Sequence, residues 1–179
     1  AQSTGERYSP AWSPDGKNLV YVSADGAETW LELWRAGELQ LRLQQVEPGL
    51  HYGPTFTPDG DAIVFVFDNP GHPDDLWKLS FRDKSLRQLT QSLPPELQAV
   101  EFIMPDEVIY TSMDGETVPA LLYRPEDAGP HSPAVIVIHG GPTWHFSYTW
   151  YPFMSHLVSR GWTVLAPNYR GSTGYGKKW

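Results

Sequence analysis

Fourteen residues, PAWSPDGKNLVYVS from Pro10 to Ser23, return as PTFTPDGDAIVFVF from Pro54 to Phe67, an offset of 44 residues. No other feature constrains the fold as strongly, because an internal repeat of this period is a supersecondary unit used more than once. Pro14, Asp15 and Gly16 recur as Pro58, Asp59 and Gly60. Each Pro-Asp-Gly is a turn with a mechanism: proline presets φ, aspartate bonds its own backbone, and glycine takes a positive φ. The runs that follow, Leu19 to Val22 and Ile63 to Phe67, are β-branched and aromatic and predict strands. Further strands are predicted at 30–34, 39–43, 76–79 and 86–89, with Leu33-Trp34 answered by Leu76-Trp77. Four strands in 44 residues match the period of a propeller blade. Two blades cannot close a propeller of about four to eight, so further blades are expected before Ala1.

After Thr90 the repeat stops. QSLPPELQAVEFIMP reads as a connection, and the domain boundary is expected at 100/101. VIYTS and TVPALLYRP flank Met113-Asp114-Gly115-Glu116, a hairpin by its Asp-Gly. Ala134 to Ile138 is a continuous apolar run that predicts a strand buried on both faces. A helix is predicted over Pro152 to Arg160, with Phe153, Leu157 and Val158 on its apolar face and Gly161 as its cap, then a buried strand at Thr163 to Ala166. Strand, helix, strand at this spacing is a βαβ unit of a parallel sheet. The expected fold class is mixed: a partial β-propeller of about two blades (1–100), then the N-terminal part of an α/β-hydrolase domain (101–179).

The apolar strand runs into His139-Gly140-Gly141-Pro142. Such a turn lies where open α/β sheets place ligands, and its glycines let a backbone N–H approach a negative oxygen closely. The donor is expected at Gly141, since Pro142 has no N–H. The alternative is a tight turn with no ligand. An oxyanion site requires a nucleophile, expected in Gly-x-Ser-x-Gly on a strand-to-helix elbow. No serine of the chain has that setting, and no Asp or Glu occurs from Ala128 to Trp179. The catalytic Ser, acid and His are therefore expected beyond residue 179, in a longer parent.

Other patterns are weaker. Gly171 to Lys178 matches the P-loop spacing except that Lys178 stands where Ser or Thr must ligate magnesium; its glycines are expected instead to let the loop fold under the Gly-Gly turn. His139, His145 and His156 have no carboxylate nearby and no spacing of a common metal site, so no metal or cofactor is expected. Trp144, Phe146, Tyr148, Trp150 and Tyr151 read as packing, with a lining role in a substrate pocket as the alternative. A net charge of −8 argues against nucleic acid, the absence of cysteine against disulfides and thiolate chemistry, and no apolar run reaches the length of about 18 that spans a bilayer. A leader, if the parent has one, lies outside this stretch. The compartment is left open, with the cytoplasm favoured.

With propeller repeats, the Pro94-Pro95 linker, an Asp-Gly hairpin ending Tyr-Arg-Pro, HGGP at 139–142 and NYRGSTGYG at 168–176 in this order, the chain resembles the prolyl oligopeptidase family of serine peptidases, and within it the acylaminoacyl-peptidase branch. The resemblance implies that Gly141 lends its N–H to the oxyanion hole, that the substrate is a short peptide or acyl-peptide, and that the propeller restricts the entry of folded proteins. A related esterase, and homo-oligomerisation of the parent, stay open. The alternative from another class is a propeller-based, TolB-like binding module whose α/β part is noncatalytic.

Overall fold

A computed structural model describes residues 5–43, 47–141, 143–176 and 179. It is mostly β-sheet: three four-stranded sheets and, among the described residues, one α-helix. The first sheet is the meander β1 (Glu6–Trp12), β2 (Asn18–Asp25), β3 (Glu28–Arg35) and β4 (Glu38–Leu43); the second is β5 (Leu50–Phe56), β6 (Ala62–Asn69), β7 (His72–Ser80) and β8 (Leu86–Gln88). All pairings in both are antiparallel.

The sequence repeat is a repeat of geometry. Ser13 Oγ donates to Asp15 Oδ1 at 2.6 Å, and Thr57 Oγ1 donates to Asp59 Oδ1 at 2.6 Å. The same aspartates accept the N–H of Lys17 and of Asp61, each at 3.1 Å, while Gly16 and Gly60 take φ of 69° and 75°. The first strands share a defect as well. The register slips between Tyr8 and Ala11 and again between Tyr52 and Thr55, with Ser9 and Gly53 at φ of 52° and 47°. A bulge twists a strand locally, so both meanders carry the same bend at the same place.

Because alternate side chains of a strand face opposite ways, each meander has two faces. Val20, Val22 and Leu31 of the first pack on Ile63, Phe65, Phe67 and Leu79 of the second. His51 lies in this contact, fully buried. Its backbone N–H donates to Thr29 Oγ1 at 2.6 Å, its Nδ1 lies 3.2 Å from the same oxygen, and its ring packs on Phe67 at 4.9 Å. Burial pushes the imidazole down from 6.5 to about 4, against the opposing hydrogen bond with Thr29. As pH falls from 6.5 toward 4 the unfolded chain takes up a proton that the folded one refuses, so stability is full above 6.5 and is lost as pH falls through this window. The total is about 3 kcal/mol. Urea midpoints at pH 7 and 4.5 should therefore converge in His51→Phe compared with the unmodified protein; an equal acid shift in both would refute this assignment.

On the other face of the first meander a buried carboxylate is enclosed by donors. Glu32 accepts Tyr21 Oη–H at 2.7 Å, Trp30 Nε1–H at 3.2 Å, Trp34 Nε1–H at 3.0 Å and Arg42 NH2 at 2.7 Å. Burial alone would raise its pKa; the four donors outweigh it and hold the carboxyl below its usual range. The second meander also buries an acid on its third strand: Asp75 accepts from Gln88, Thr90 and Ser92 and secures the exit from β8.

A short 3-10 turn at Pro95–Leu97 precedes the third sheet, built from β9 (Asp106–Thr111), β10 (Thr117–Tyr123), β11 (Ala134–Ile136) and β12 (Thr163–Pro167). Its order is β11-β12-β10-β9, with β12 parallel to β11 and antiparallel to β10. The β9–β10 turn uses the motif a third time: Ser112 Oγ donates to Asp114 Oδ1 and Gly115 takes φ 87°. Between β11 and β12 runs α1 (Pro152–Ser159), started by proline at its first turn and ended by Gly161 at φ 82°. The expected strand-helix-strand unit is therefore present.

Two burial expectations are corrected. The run from Ala134 is not buried on both faces: Val135 and Val137 pack on the core, while Ile136 and Ile138 are 61% and 68% exposed, because α1 and the aromatic segment after the glycines cover one face only. The regular strand also ends at Ile136, although Val137 N–H still bonds Leu165 O at 2.9 Å. In α1 the buried residues are Met154 and Val158, with Leu157 partly covered; Phe153 points to solvent.

Candidate active site

Since β11 and β12 are parallel neighbours, the loops leaving their C-terminal ends lie side by side. One holds His139, Gly140 and Gly141, and the other runs from Asn168 to Gly176. The structure joins them closely. His139 is buried, with Nε2 2.9 Å from Ser172 Oγ, and Ser172 Oγ donates to Tyr169 O at 2.6 Å. Tyr169 Oη donates to His139 O at 2.6 Å, and its ring stacks on the imidazole at 4.3 Å and 13°. His139 is thus gripped through its ring, its carbonyl and its stacking face. Its side chain is turned into the protein.

Asn168 performs the same service for the segment behind the turn. Fully buried, it accepts Phe146 N–H at 2.6 Å and donates to Phe146 O and Tyr175 Oη, both at 2.8 Å. His145 Nδ1 lies 2.8 Å from Thr173 Oγ1, and Thr173 N–H bonds Trp144 O at 3.2 Å. Burial depresses the His145 pKa, with Glu6 opposing. The loop 168–175 therefore does pack against the Gly-Gly turn. Pro142, Lys177 and Lys178 lie outside the described residues.

Gly141 is exposed at the rim, with φ 140°. A Cβ there would meet Thr143 N at 2.9 Å and Trp144 N at 3.3 Å, whereas one on Gly140 would meet nothing within 4 Å. Among the described residues, none accepts a hydrogen bond from Gly141 N–H. A backbone donor held open at a strand's C-terminal edge can receive an oxyanion. The three histidines do not converge: His139 goes to Ser172, His145 to Thr173, and His156 sits in the last turn of α1.

Of the aromatics, Trp144, Phe146 and Tyr151 cluster with His139, Trp144 edge-on to its ring at 5.8 Å and Phe146 at 5.4 Å. The site leans on both meanders. Gly26 N–H bonds Gly174 O at 3.0 Å, and Tyr148 N–H bonds Ala27 O at 2.8 Å. From the second meander, Asp68 accepts Trp150 N–H at 3.0 Å and Thr149 Oγ1–H. Sequence reasoning missed Asp68. Its one signal is a break in the repeat, where Ala24 stands at the matching position.

No protein-family model matches the chain. Among curated proteins, dipeptidyl aminopeptidase BIII of Pseudoxanthomonas mexicana is 33% identical over 146 residues, 76% of this chain and 21% of that protein. The mouse acylamino-acid-releasing enzyme is 31% identical over 183 residues, 93% of this chain and 24% of the enzyme. Among solved structures, a puromycin-hydrolyzing peptidase of Mycobacterium tuberculosis superposes with a TM-score of 0.79 at 22% identity, over 95% of this chain and 26% of its own. The chain spans about a quarter of the length of the curated relatives it matches. The proteins it matches are peptidases, and this chain shares the fold of the solved one. More narrowly, its homologues are peptidases of the prolyl oligopeptidase family, as the sequence resemblance implied.

Proposed function

We propose that this chain is part of a serine peptidase that cleaves short or N-acylated peptides through an acyl-enzyme. Residues 1–100 are two blades of a propeller that limits access. Residues 101–179 begin the α/β-hydrolase domain, and the Ser, Asp and His of the triad follow residue 179. Gly141 supplies one oxyanion donor, with Gly140 and His139 shaping the turn. The observation that carries this reading is the exposed Gly141, whose N–H is unengaged among the described residues, on a backbone that glycine adopts freely.

The test compares the full-length protein with the 179-residue chain. The full-length protein should be labelled by a serine-directed fluorophosphonate and should turn over acyl-peptide or peptide nitroanilides, while the chain alone does neither, lacking nucleophile, base and acid. Labelling of the chain, or an inert full-length protein, would overturn the proposal. The latter result would favour a binding module.

A further inference from the structure

The second meander carries a carboxylate that its own fold does not require. In the 44-residue repeat Asp68 corresponds to Ala24, buried at the same place in β2. Asp68 is itself 3% exposed, and its Oδ1 is buried with no partner among the described residues. A buried, half-satisfied carboxylate is costly to keep where alanine would serve. What it holds is not in its own sheet. Oδ2 accepts from Thr149 Oγ1 and from Trp150 N, residues 81 and 82 positions further along.

Thr149 and Trp150 end the segment that starts behind Gly141, and Tyr151 caps α1. Within this segment Trp144, Phe146 and Tyr151 form a ring cluster, Trp144 to Phe146 at 5.6 Å and Phe146 to Tyr151 at 5.7 Å, with both Trp144 and Phe146 against His139, while the Trp150 ring packs on Phe102 at 4.8 Å. Its front is tied to the 168–175 loop, its middle to Ala27 O through Tyr148 N–H, and its rear to Asp68. Of these ties, that of Asp68 is the one made by a carboxylate, and a charged acceptor makes the stronger bond.

We infer that Asp68 is a positioning residue: its carboxylate fixes the rear of the 144–151 segment, and through the ring cluster on His139 it fixes the direction of the Gly141 N–H. The inference rests on the proposed role of Gly141. Asp68 never touches substrate. It links the second meander to the turn, so a displacement of one sheet against the other reaches the donor. Small misplacement of a catalytic group is enough to matter, since about 1 Å can cost about a hundredfold in rate.

The experiment uses the full-length enzyme with Asp68→Ala and Asp68→Asn, the latter keeping one neutral acceptor oxygen. Two quantities are read: kcat and KM on a nitroanilide, and amide hydrogen exchange across residues 139–151. Asp68→Ala should accelerate exchange in this segment and lower kcat by about tenfold or more with KM nearly unchanged, and Asp68→Asn should recover part of both. A folded Asp68→Ala enzyme with unchanged exchange overturns the inference, as does accelerated exchange without loss of kcat, or loss of kcat with no recovery in Asp68→Asn. If the unmodified protein proves inert, the peptidase reading falls, while the exchange still decides whether Asp68 holds the turn.

Discussion

Gly141→Val in the full-length protein is expected, on the proposed peptidase reading, to lower kcat by at least about a hundredfold while the protein still folds. Two independent features of the turn produce the loss. The backbone at φ 140° lies where side-chain-bearing residues are strained, and a Cβ would press on Thr143 N at 2.9 Å, so the peptide must rotate and its N–H with it. Losing one oxyanion donor removes about 2.7 to 4 kcal/mol of transition-state stabilisation. Ground-state binding does not need that donor, so KM should move less than kcat. The residue is exposed at a rim, so the core is untouched. Gly140→Ala, whose Cβ meets nothing within 4 Å, should lose much less. Steady-state kinetics and circular dichroism on the same preparations decide; near-normal kcat in a folded Gly141→Val enzyme would reduce the motif to a turn.

The second large effect is on stability. Glu32→Leu should lower the local stability of β2 to β4 by about 3 kcal/mol, because removing one partner of a buried charged cluster strands the others. Two indole N–H groups and the Tyr21 hydroxyl lose their acceptor, and Arg42, now over the Trp30 ring at 5.1 Å, loses its counter-charge. Arg42 is half exposed and water can take it up, which keeps the figure at the lower end for buried pairs. Since the Glu32 pKa is depressed in the folded state, its contribution is complete above the unfolded value of 4.5 and fades as pH falls below it. Native-state hydrogen exchange of the β2 and β3 amides at pH 7 measures the change directly, and a loss below about 1 kcal/mol would mean that the donors find other partners.

What the sequence disclosed and what it hid divide along a physical line. The Ser/Thr-Pro-Asp-Gly turns were legible because every bond in them is made within five residues, by groups whose chemistry is fixed by residue type. The crossover around α1 was legible for a related reason: Pro152 and Gly161 mark its ends and apolar runs flank it. Ile136 and Ile138 misled because an apolar run records hydrophobicity on both faces, whereas burial depends on which faces other elements cover. Phe153 misled because a helix of eight residues gives too few turns to fix its rotation. At the site, the Gly-Gly turn could be read, but the grip of Ser172 and Tyr169 on His139 could not, since hydrogen bonding between loops leaves no periodic trace. Asp68 left only a missing alanine.

That division also sets an order in time. Closing a chain segment costs entropy that grows with its length, by about 0.6 kcal/mol per doubling, and short hairpins close within about 10 microseconds. The Ser13–Asp15 and Thr57–Asp59 bonds span 2 residues, the His139–Ser172 contact 33, and the Asp68–Thr149 bond 81. The paired turns are therefore the chain's early events, and the geometry around Gly141 is among its last. A nascent chain holds correct hairpins well before it holds the Gly-Gly turn in place, and the turn takes its final shape only when the most distant contacts have closed.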